Sequence, residues 1–378
     1  MSSVGGTTSG AEGAGQAALR QEMGEELLKV TCMAVGHGDA LLVECVQRGT
    51  TSRILIDGGP AHHYPALRDT LLGVLGSDRH LELLVITHID ADHIDGALIM
   101  LQDEELGLTL GDVWFNGWPQ LESPVAPDSF GARQGAYLEA LLRDKPWNLA
   151  FDGAAVFAPD EGELPVRTAG GGVLTLLSPR PKGLRRLRAI WEAVLSEAGM
   201  RPGDTAEAER RLAERKVYAP RVPSADIFAA RSFGSDTAVA NGSSIAFVFE
   251  YRGARILFAG DAYAPVLADG LQRMAAARGV DRLAFDAVKL SHHGSMGNVS
   301  RELLALIDCP RFLVSTNGDY FRHPDPETIR LLGEEMNHPE IRFNYRAPAT
   351  QPWADVARQE SDGVTATFPP EALVLALP

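Results

Sequence analysis

The chain has little cysteine, no long apolar run and no excess of positive charge, and each absence removes a class of protein. Cys32, Cys45 and Cys309 are the only cysteines among 378 residues. They are too few and too scattered for a disulfide framework or a CxxC metal site, and they read as buried, reduced thiols. No window approaches the roughly 18 to 20 consecutive apolar residues that a membrane span requires, so no membrane partner is expected. The first residues, MSSVGGTTSGAEGAGQAALRQEMGEE, lack a basic segment followed by an apolar one. No secretory signal is therefore expected, and the cytoplasm is the default location. Acidic residues outnumber basic ones 50 to 35, for a formal charge of -15. That excludes a surface that traps polyanions over its whole extent, but leaves room for a local basic patch or for metal ions at one cleft.

What is present is a foldable chain. Hydrophobic residues make up 45% and charged residues 22%, which excludes disordered, collagen-like and coiled-coil readings. At roughly 100–200 residues per domain, the length predicts two domains or one large domain with an insertion. Residues 1–24, rich in Gly, Ser, Thr and Ala, read as a flexible tail ahead of a domain over 25–378.

Along that domain, LLKVTCMAVGHGDALLVECV predicts a strand, a turn and a second strand. RILIDGG predicts a short buried strand ending at Asp57, and LELLVIT a near-continuous apolar strand stopping before His88. Residues 103–168 read as an insertion of loops around one helix near GARQGAYLEALLRD. A second insertion, about 180–235, contains two segments of helical period, KGLRRLRAIWEAVLSEAG and DTAEAERRLAERKV. From Arg180 to Arg221 there are eleven basic residues against six acidic ones, a local reversal of the overall charge. Its cluster Lys182, Arg185, Arg186 and Arg188 has two readings, a solvated helix face or an arm that guides substrate or docks a partner. Trp191 and Leu195 are expected to pack inward. Strands resume at SSIAFVFEYRGARILFAGDA, with a hairpin turn at Arg252-Gly253, and continue in FDAVKLSHHGS and RFLVSTNGD, with helices between them and after Pro326.

The strongest signal is Thr87-His88-Ile89-Asp90-Ala91-Asp92-His93-Ile94-Asp95-Gly96. His88, Asp90, Asp92 and His93 are four potential metal ligands within six residues, directly after an apolar strand, where a tight loop can aim several side chains at one point. Imidazole with carboxylate suits a borderline or hard divalent ion such as Zn or Mn.

This loop resembles that of the metallo-β-lactamase superfamily, whose H-x-H-x-D-H motif stands here as His88-x-Asp90-x-Asp92-His93, with Asp90 replacing a histidine. The H-x-D-x-D-H form, with SHHGS and a later His-Pro pair, looks like the branch containing the hydrolase domain of ComEC-type competence proteins and the phosphorylcholine esterases. The resemblance covers about Leu27 to Leu101 and Gly171 to Leu332. It implies an α/β fold, a four-layer αβ/βα sandwich of two mixed sheets with helices outside, carrying a partly helical insertion and a metal site at one edge.

It also implies roles for residues. Asp57, in ILIDGG, would support the metal loop through hydrogen bonds. Asp261, in LFAGDA, matches the carboxylate that bridges two metals, so that a water between them ionises near neutral pH. One of His292 and His293 would join Asp92, His93 and Asp261 on the second metal, while the other faces substrate or supports from behind. Asn241-Gly242-Ser243-Ser244 falls where many relatives have a third-motif histidine, which leaves the first metal position short of a ligand. Asn241, Ser243, Asn317 and His37 are candidate substrate contacts, with Tyr320 beside them, and Asp39 reads as turn structure. His323, before Pro324, is either a contact to a phosphoryl oxygen or leaving group, or a structural loop residue. The implied reaction is hydrolysis with one or two divalent ions, in which a metal-activated water attacks phosphorus or a carbonyl carbon. The leading expectation is a phosphodiesterase or nuclease acting on DNA or RNA, by analogy in DNA processing or antiviral defence. A hydrolase of a small phosphoester, cyclic nucleotide or lactone, and a degenerate interaction module, are the alternatives. KGLRRLR is also a target for an activating protease.

Overall fold

The side chains of each strand divide between two apolar environments, and that division builds the architecture. In the strand Leu41–Gln47, Leu41 and Val43 join one buried cluster and Leu42 another. Thr50–Ile56 repeats the pattern, with Ile54 and Ile56 on one side and Leu55 on the other. The period of two is what a strand buried on both faces must show. The computed structural model describes residues 26–121, 132–218, 238–369 and 373–376. The expected tail at 1–24 and the part of the second insertion beyond residue 218 up to 235 lie outside them.

Two sheets result. The first contains β1 (Leu27–Cys32), β2 (Leu41–Gln47), β3 (Thr50–Ile56), β4 (His80–Val85) and β5 (Thr109–Trp114), and the C-terminal strand Leu373–Ala376 pairs with β1. β1, β2 and β3 are antiparallel neighbours, while β3, β4 and β5 run parallel. The second sheet starts from β6 (Pro165–Arg167), β7 (Val173–Ser178), β8 (Ala246–Tyr251) and β9 (Ala254–Phe258), all antiparallel neighbours. A separate two-residue pair is formed by β10 (Leu283–Ala284) and β12 (Ile307–Asp308). The second sheet continues in parallel from β9 through β11 (Ala287–Lys289), β13 (Arg311–Val314), β14 (Glu340–Phe343) and β15 (Thr365–Thr367).

Three apolar clusters define the layers. Leu28, Val43, Ile54, Val85 and Trp114 of the first sheet meet Leu174, Phe247, Phe249, Ile256 and Phe258 of the second between the sheets. The outer face of the first sheet is covered by α1 (Tyr64–Leu75), α2 (Ala91–Met100), α3 (Ala132–Leu142), α4 (Pro181–Glu197) and α5 (Thr205–Glu214). The outer face of the second sheet is covered by α6 (Ala264–Arg278) and α7 (Pro326–Glu335). This is the expected mixed α/β sandwich, with helix, sheet, sheet and helix in succession. Among the described residues, no helix is long and apolar enough to cross a membrane.

Two expected boundaries change. The reading of 103–168 as loops around one helix overlooked β5, which lies inside that range and pairs in parallel with β4 over Thr109–Trp114. The helix expected between FDAVKLSHHGS and RFLVSTNGD is a single turn, Arg301–Leu304. The basic helix α4 buries Leu184, Leu187, Ile190, Trp191 and Leu195 in the same cluster as the first sheet, so its apolar stripe belongs to the main core. Trp191 is fully buried, as its inward packing requires.

Parallel order aligns the carboxyl ends of the strands. Asp57 follows β3, Thr87 and His88 follow β4, Asp261 follows β9, His292 and His293 follow β11, and Ser315 follows β13, each within four residues of the strand end. The backbone ties these loops together: Asp57 N–H donates to Val85 O (2.8 Å), Ile245 N–H to Thr87 O (2.8 Å) and His292 N–H to Gly260 O (3.0 Å). Ligands of open α/β sheets gather at such carboxyl ends.

Candidate metal centre

The chain pays locally for this convergence. Asp57, His292 and His293 all hold left-handed φ values of 60°, 48° and 56°, a region non-glycine residues enter at a cost of about 1–3 kcal/mol and mainly at functional sites. Two close backbone approaches demand glycine. A Cβ on Gly96 would stand 2.0 Å from Gly58 O, and one on Gly38 would stand 1.8 Å from Asp92 O. Those contacts press the loops after β1, β3 and β4 against one another.

Each imidazole is held by one nitrogen and aimed with the other. Asp57, fully buried, accepts from Thr87 N–H (2.7 Å), Thr87 Oγ1–H (2.7 Å) and His93 Nδ1–H (2.8 Å). Thr87 Oγ1 also lies 2.9 Å from His88 Nδ1, so the hydroxyl that donates to Asp57 accepts from His88. His293 Nδ1–H donates to Ser315 O (2.8 Å). The opposite nitrogens, His88 Nε2, His93 Nε2 and His293 Nε2, are buried with no hydrogen-bond partner among the described residues, as is Asp261 Oδ1. Buried polar atoms are almost always satisfied, and one left bare costs about 1–3 kcal/mol. Several bare atoms facing one point call for a cation.

The carboxylates stand between them. Asp261 Oδ2 lies 3.3 Å from His93 Nε2 and 3.8 Å from both His88 Nε2 and His292 Nε2. Asp92 Oδ2 lies 3.4 Å from His293 Nε2 and 3.9 Å from His93 Nε2. Asp90 Oδ2 is 3.5 Å from His88 Nε2. His88, His93 and Asp261 form one group able to hold a metal ion, and Asp92, His93 and His293 another. The donor set therefore fits divalent metal. Burial disfavours the charged forms of His93, His293 and Asp261, yet their mutual attraction is stronger. Burial opposes protonation of His93, but Asp261, Asp92 and Asp57 hold its pKa well above the usual value. His293 is lifted to about 9 by Asp39 and Asp92 against the same burial. Burial works against ionisation of Asp261 too, and His93 and His292 keep it well below the ordinary carboxylate range. The cluster demands positive charge at its centre.

The other predicted residues are placed around this cluster. His292 Nδ1 is 3.1 Å from Asn298 Oδ1 and 3.5 Å from Asn241 Nδ2, which sets Asn241 against the histidine pair. The His323 ring is 5.3 Å from that of His292, and its Nδ1 is 3.3 Å from Asp325 Oδ1. His37 stacks on Tyr320 at 5.2 Å and on His62 at 5.9 Å. Ser243 and Asn317 serve their own loops. Ser243 Oγ donates to Ala240 O (2.6 Å), and Asn317 exchanges hydrogen bonds with Asp319 (2.7 and 3.0 Å). Asp57 holds Thr87 and the inner nitrogen of His93, which makes it a positioning residue.

Sequence reasoning missed a pair behind the site. Asp39, read as turn structure, is buried; its Oδ2 accepts from Lys289 Nζ (2.8 Å) and its Oδ1 lies 3.3 Å from His293 Nδ1. Lys289, also buried, donates its second hydrogen bond to Leu290 O (3.0 Å). The available signal was Lys289 itself, a charge at an inward position of FDAVKLS. Ser244 was overlooked too; its Oγ accepts from Asp261 N–H (3.0 Å) and fixes the backbone of that residue.

Among solved structures, the chain is similar to a mutant of CmlA beta-hydroxylase, with a TM-score of 0.35 and 16% identity over 98% of this chain and 60% of that one. The chain thus spans less than two thirds of that neighbour's length. It is also similar to MIM-2 Metallo-Beta-Lactamase, with a TM-score of 0.26 and 14% identity over 69% of this chain and 75% of that one. No curated protein matches the sequence. The profile of the Metallo-beta-lactamase superfamily matches residues 33–318, from the loop after β1 to the loop after β13. The chain belongs to the metallo-beta-lactamase superfamily of metal-dependent hydrolases.

Proposed function

We propose that the protein is a metal-dependent phosphodiesterase whose natural substrate is nucleic acid, acting inside the cell, where its three cysteines stay as free thiols. The observation that carries this reading is the oxygen-rich donor set, in which Asp90, Asp92 and Asp261 stand among four imidazoles. Carboxylates favour harder cations such as Mn alongside Zn, and such cations pair with phosphoryl oxygens. Asp92, His93, His293 and Asp261 would hold one cation, and His88, Asp90, Asp261 and His292 the other. Bound there, two cations would lower the pKa of an attacking water and offset the charge that gathers on the phosphoryl oxygens.

The chain's own residues do the rest. Asp57 and Thr87 lock the tautomers of His93 and His88 so that each Nε2 lone pair faces inward. Ser315 O does the same for His293, with Asp39 and its partner Lys289 standing behind the ring. His323, with its ring beside His292 and Nδ1 toward Asp325, stands where it can meet a phosphoryl or leaving-group oxygen at the rim. The H-x-D-x-D-H form, the SHHGS pair and the His323-Pro324 ending give the same reading through their likeness to ComEC-type hydrolases. The test is hydrolysis of bis-p-nitrophenyl phosphate with Mn or Zn by the full chain and by Asp92→Ala. Cleavage that requires metal and disappears in the variant supports the reading; a metal-loaded wild type that leaves the diester intact refutes it.

A further inference from the structure

The insertion carries two helices rich in charge, and only one of them uses its charges on itself. In α5, Asp204 caps the N-terminus by accepting from Glu207 N–H (3.1 Å). Arg210 pairs with Glu207 (2.8 Å) and Glu214 (2.7 Å), and Arg211 with Glu207 (2.6 Å). Acid near the start and base near the end also match the helix dipole. α4 is arranged the other way. Arg180 precedes it without a side-chain cap, and its first turn has no acid. Lys182, Arg185 and Arg186 are exposed in its first two turns, and none of them makes an ion pair with a described residue. Its acids, Glu192 and Glu197, come later. In a chain with 50 acidic and 35 basic residues, three neighbouring cations without a carboxylate among the described residues are kept against both composition and local helix electrostatics. Violations of local preference of this kind mark functional positions.

Their location supplies the purpose. The start of α4 packs against the turn Ala238–Asn241, and a Cβ on Gly183 would stand 2.2 Å from Gly242 O. Gly242 adjoins Asn241, whose side chain reaches His292 at 3.5 Å. The basic turns are therefore joined through one loop to the metal cluster.

We propose that Lys182, Arg185 and Arg186 form a track for the phosphate backbone of a nucleic-acid strand whose scissile diester lies in the metal cluster. This rests on the phosphodiesterase reading for the position of the reacting bond. The track contacts phosphates outside the reacting one, so it acts on chain length and salt dependence and leaves base sequence unread.

The test uses the full-length protein and Arg185→Gln/Arg186→Gln, which keeps helical side chains at both positions. Binding of a fluorescent 20-nucleotide single strand is followed by anisotropy across a salt series, with hydrolysis of bis-p-nitrophenyl phosphate alongside. The proposal expects the variant to bind the strand at least tenfold more weakly and to flatten the slope of log affinity against log salt by about 1.4, from two lost contacts at about 0.7 each. Diester hydrolysis should stay within twofold of wild type. Equal strand affinity and slope in the two proteins would overturn it, whether or not the diester is cleaved. So would strand binding too weak to detect in the wild type at low salt, which would turn the patch over to an acidic protein partner. Loss of diester hydrolysis in the wild type with the binding difference intact would fail the phosphodiesterase reading and leave the track standing.

Discussion

Beside β5, Asn116 and Asn148 leave none of their amide atoms idle, whereas at the carboxyl ends of β3, β4 and β11 the imidazoles of His93, His88 and His293 each leave one nitrogen bare. Asn148 accepts from Phe115 N–H (3.0 Å) and donates to Phe115 O (2.9 Å) and Ala154 O (3.0 Å). Asn116 exchanges two bonds of 2.8 Å with Val156. Both clusters are buried in one protein, so burial alone does not explain the difference. The asparagines finish a fold; the histidines are finished on one side and open on the other. Where these two amides are satisfied so fully, the Nε2 atoms stay bare at the place a ligand is to complete them.

The largest effect separates the two clusters outright. His93→Ala removes a ligand shared by both candidate metal groups, and it should abolish tight metal binding and lower hydrolysis at least a thousandfold while the chain stays folded. Circular dichroism with elemental analysis checks it; a folded variant with full metal content would break the contrast. Asn148→Ala should do the opposite. It strands Phe115 N–H and Ala154 O and should cost about 2–4 kcal/mol by urea denaturation, with metal content unchanged.

A third buried polar group sharpens the comparison through pH. Burial pushes the Glu139 carboxyl up to about 7, and a hydrogen bond from Trp118 N–H offsets part of this. The native state binds that proton more tightly than the unfolded chain, with its ordinary value of 4.5. The resulting stability is fully present below pH 4.5 and is lost as pH rises through about 7. Glu139→Gln keeps an acceptor for Trp118 and removes the titration. It should gain about 3 kcal/mol over wild type between pH 5 and pH 8, and parallel pH profiles of melting temperature for the two proteins would contradict it. The smallest effect belongs to the pair behind the cluster. Asp39→Asn weakens the hold on Lys289 and His293, and should reduce metal affinity 10- to 100-fold in a chelator competition without abolishing it.

What the sequence made legible follows the same division between local and distant. The loop from His88 to His93 was readable because its ligands crowd six residues behind an apolar strand. The helices at 181–197 and 205–214 were readable from their period. β5 was hidden because Gly111 and Asp112 interrupt TLGDVW; the glycine is needed where a Cβ would lie 2.5 Å from Glu82 O. Asp39 and Lys289 were hidden because their partnership spans 250 positions, and no local pattern encodes a contact made by folding two sheets together. Which histidine of SHHGS faces Asp92 was equally undecidable, since both take left-handed backbone conformations that only the closed site imposes.

The bare nitrogens and the carboxylates between them are arranged to hold divalent metal. Elemental analysis of the purified full chain, after titration with Mn or Zn and removal of excess ion, tests this most directly. The account predicts up to two ions per chain in the wild type and none tightly held in Asp261→Asn/His93→Ala. A folded wild type that retains no metal, or a double variant that retains as much as the wild type, would contradict it.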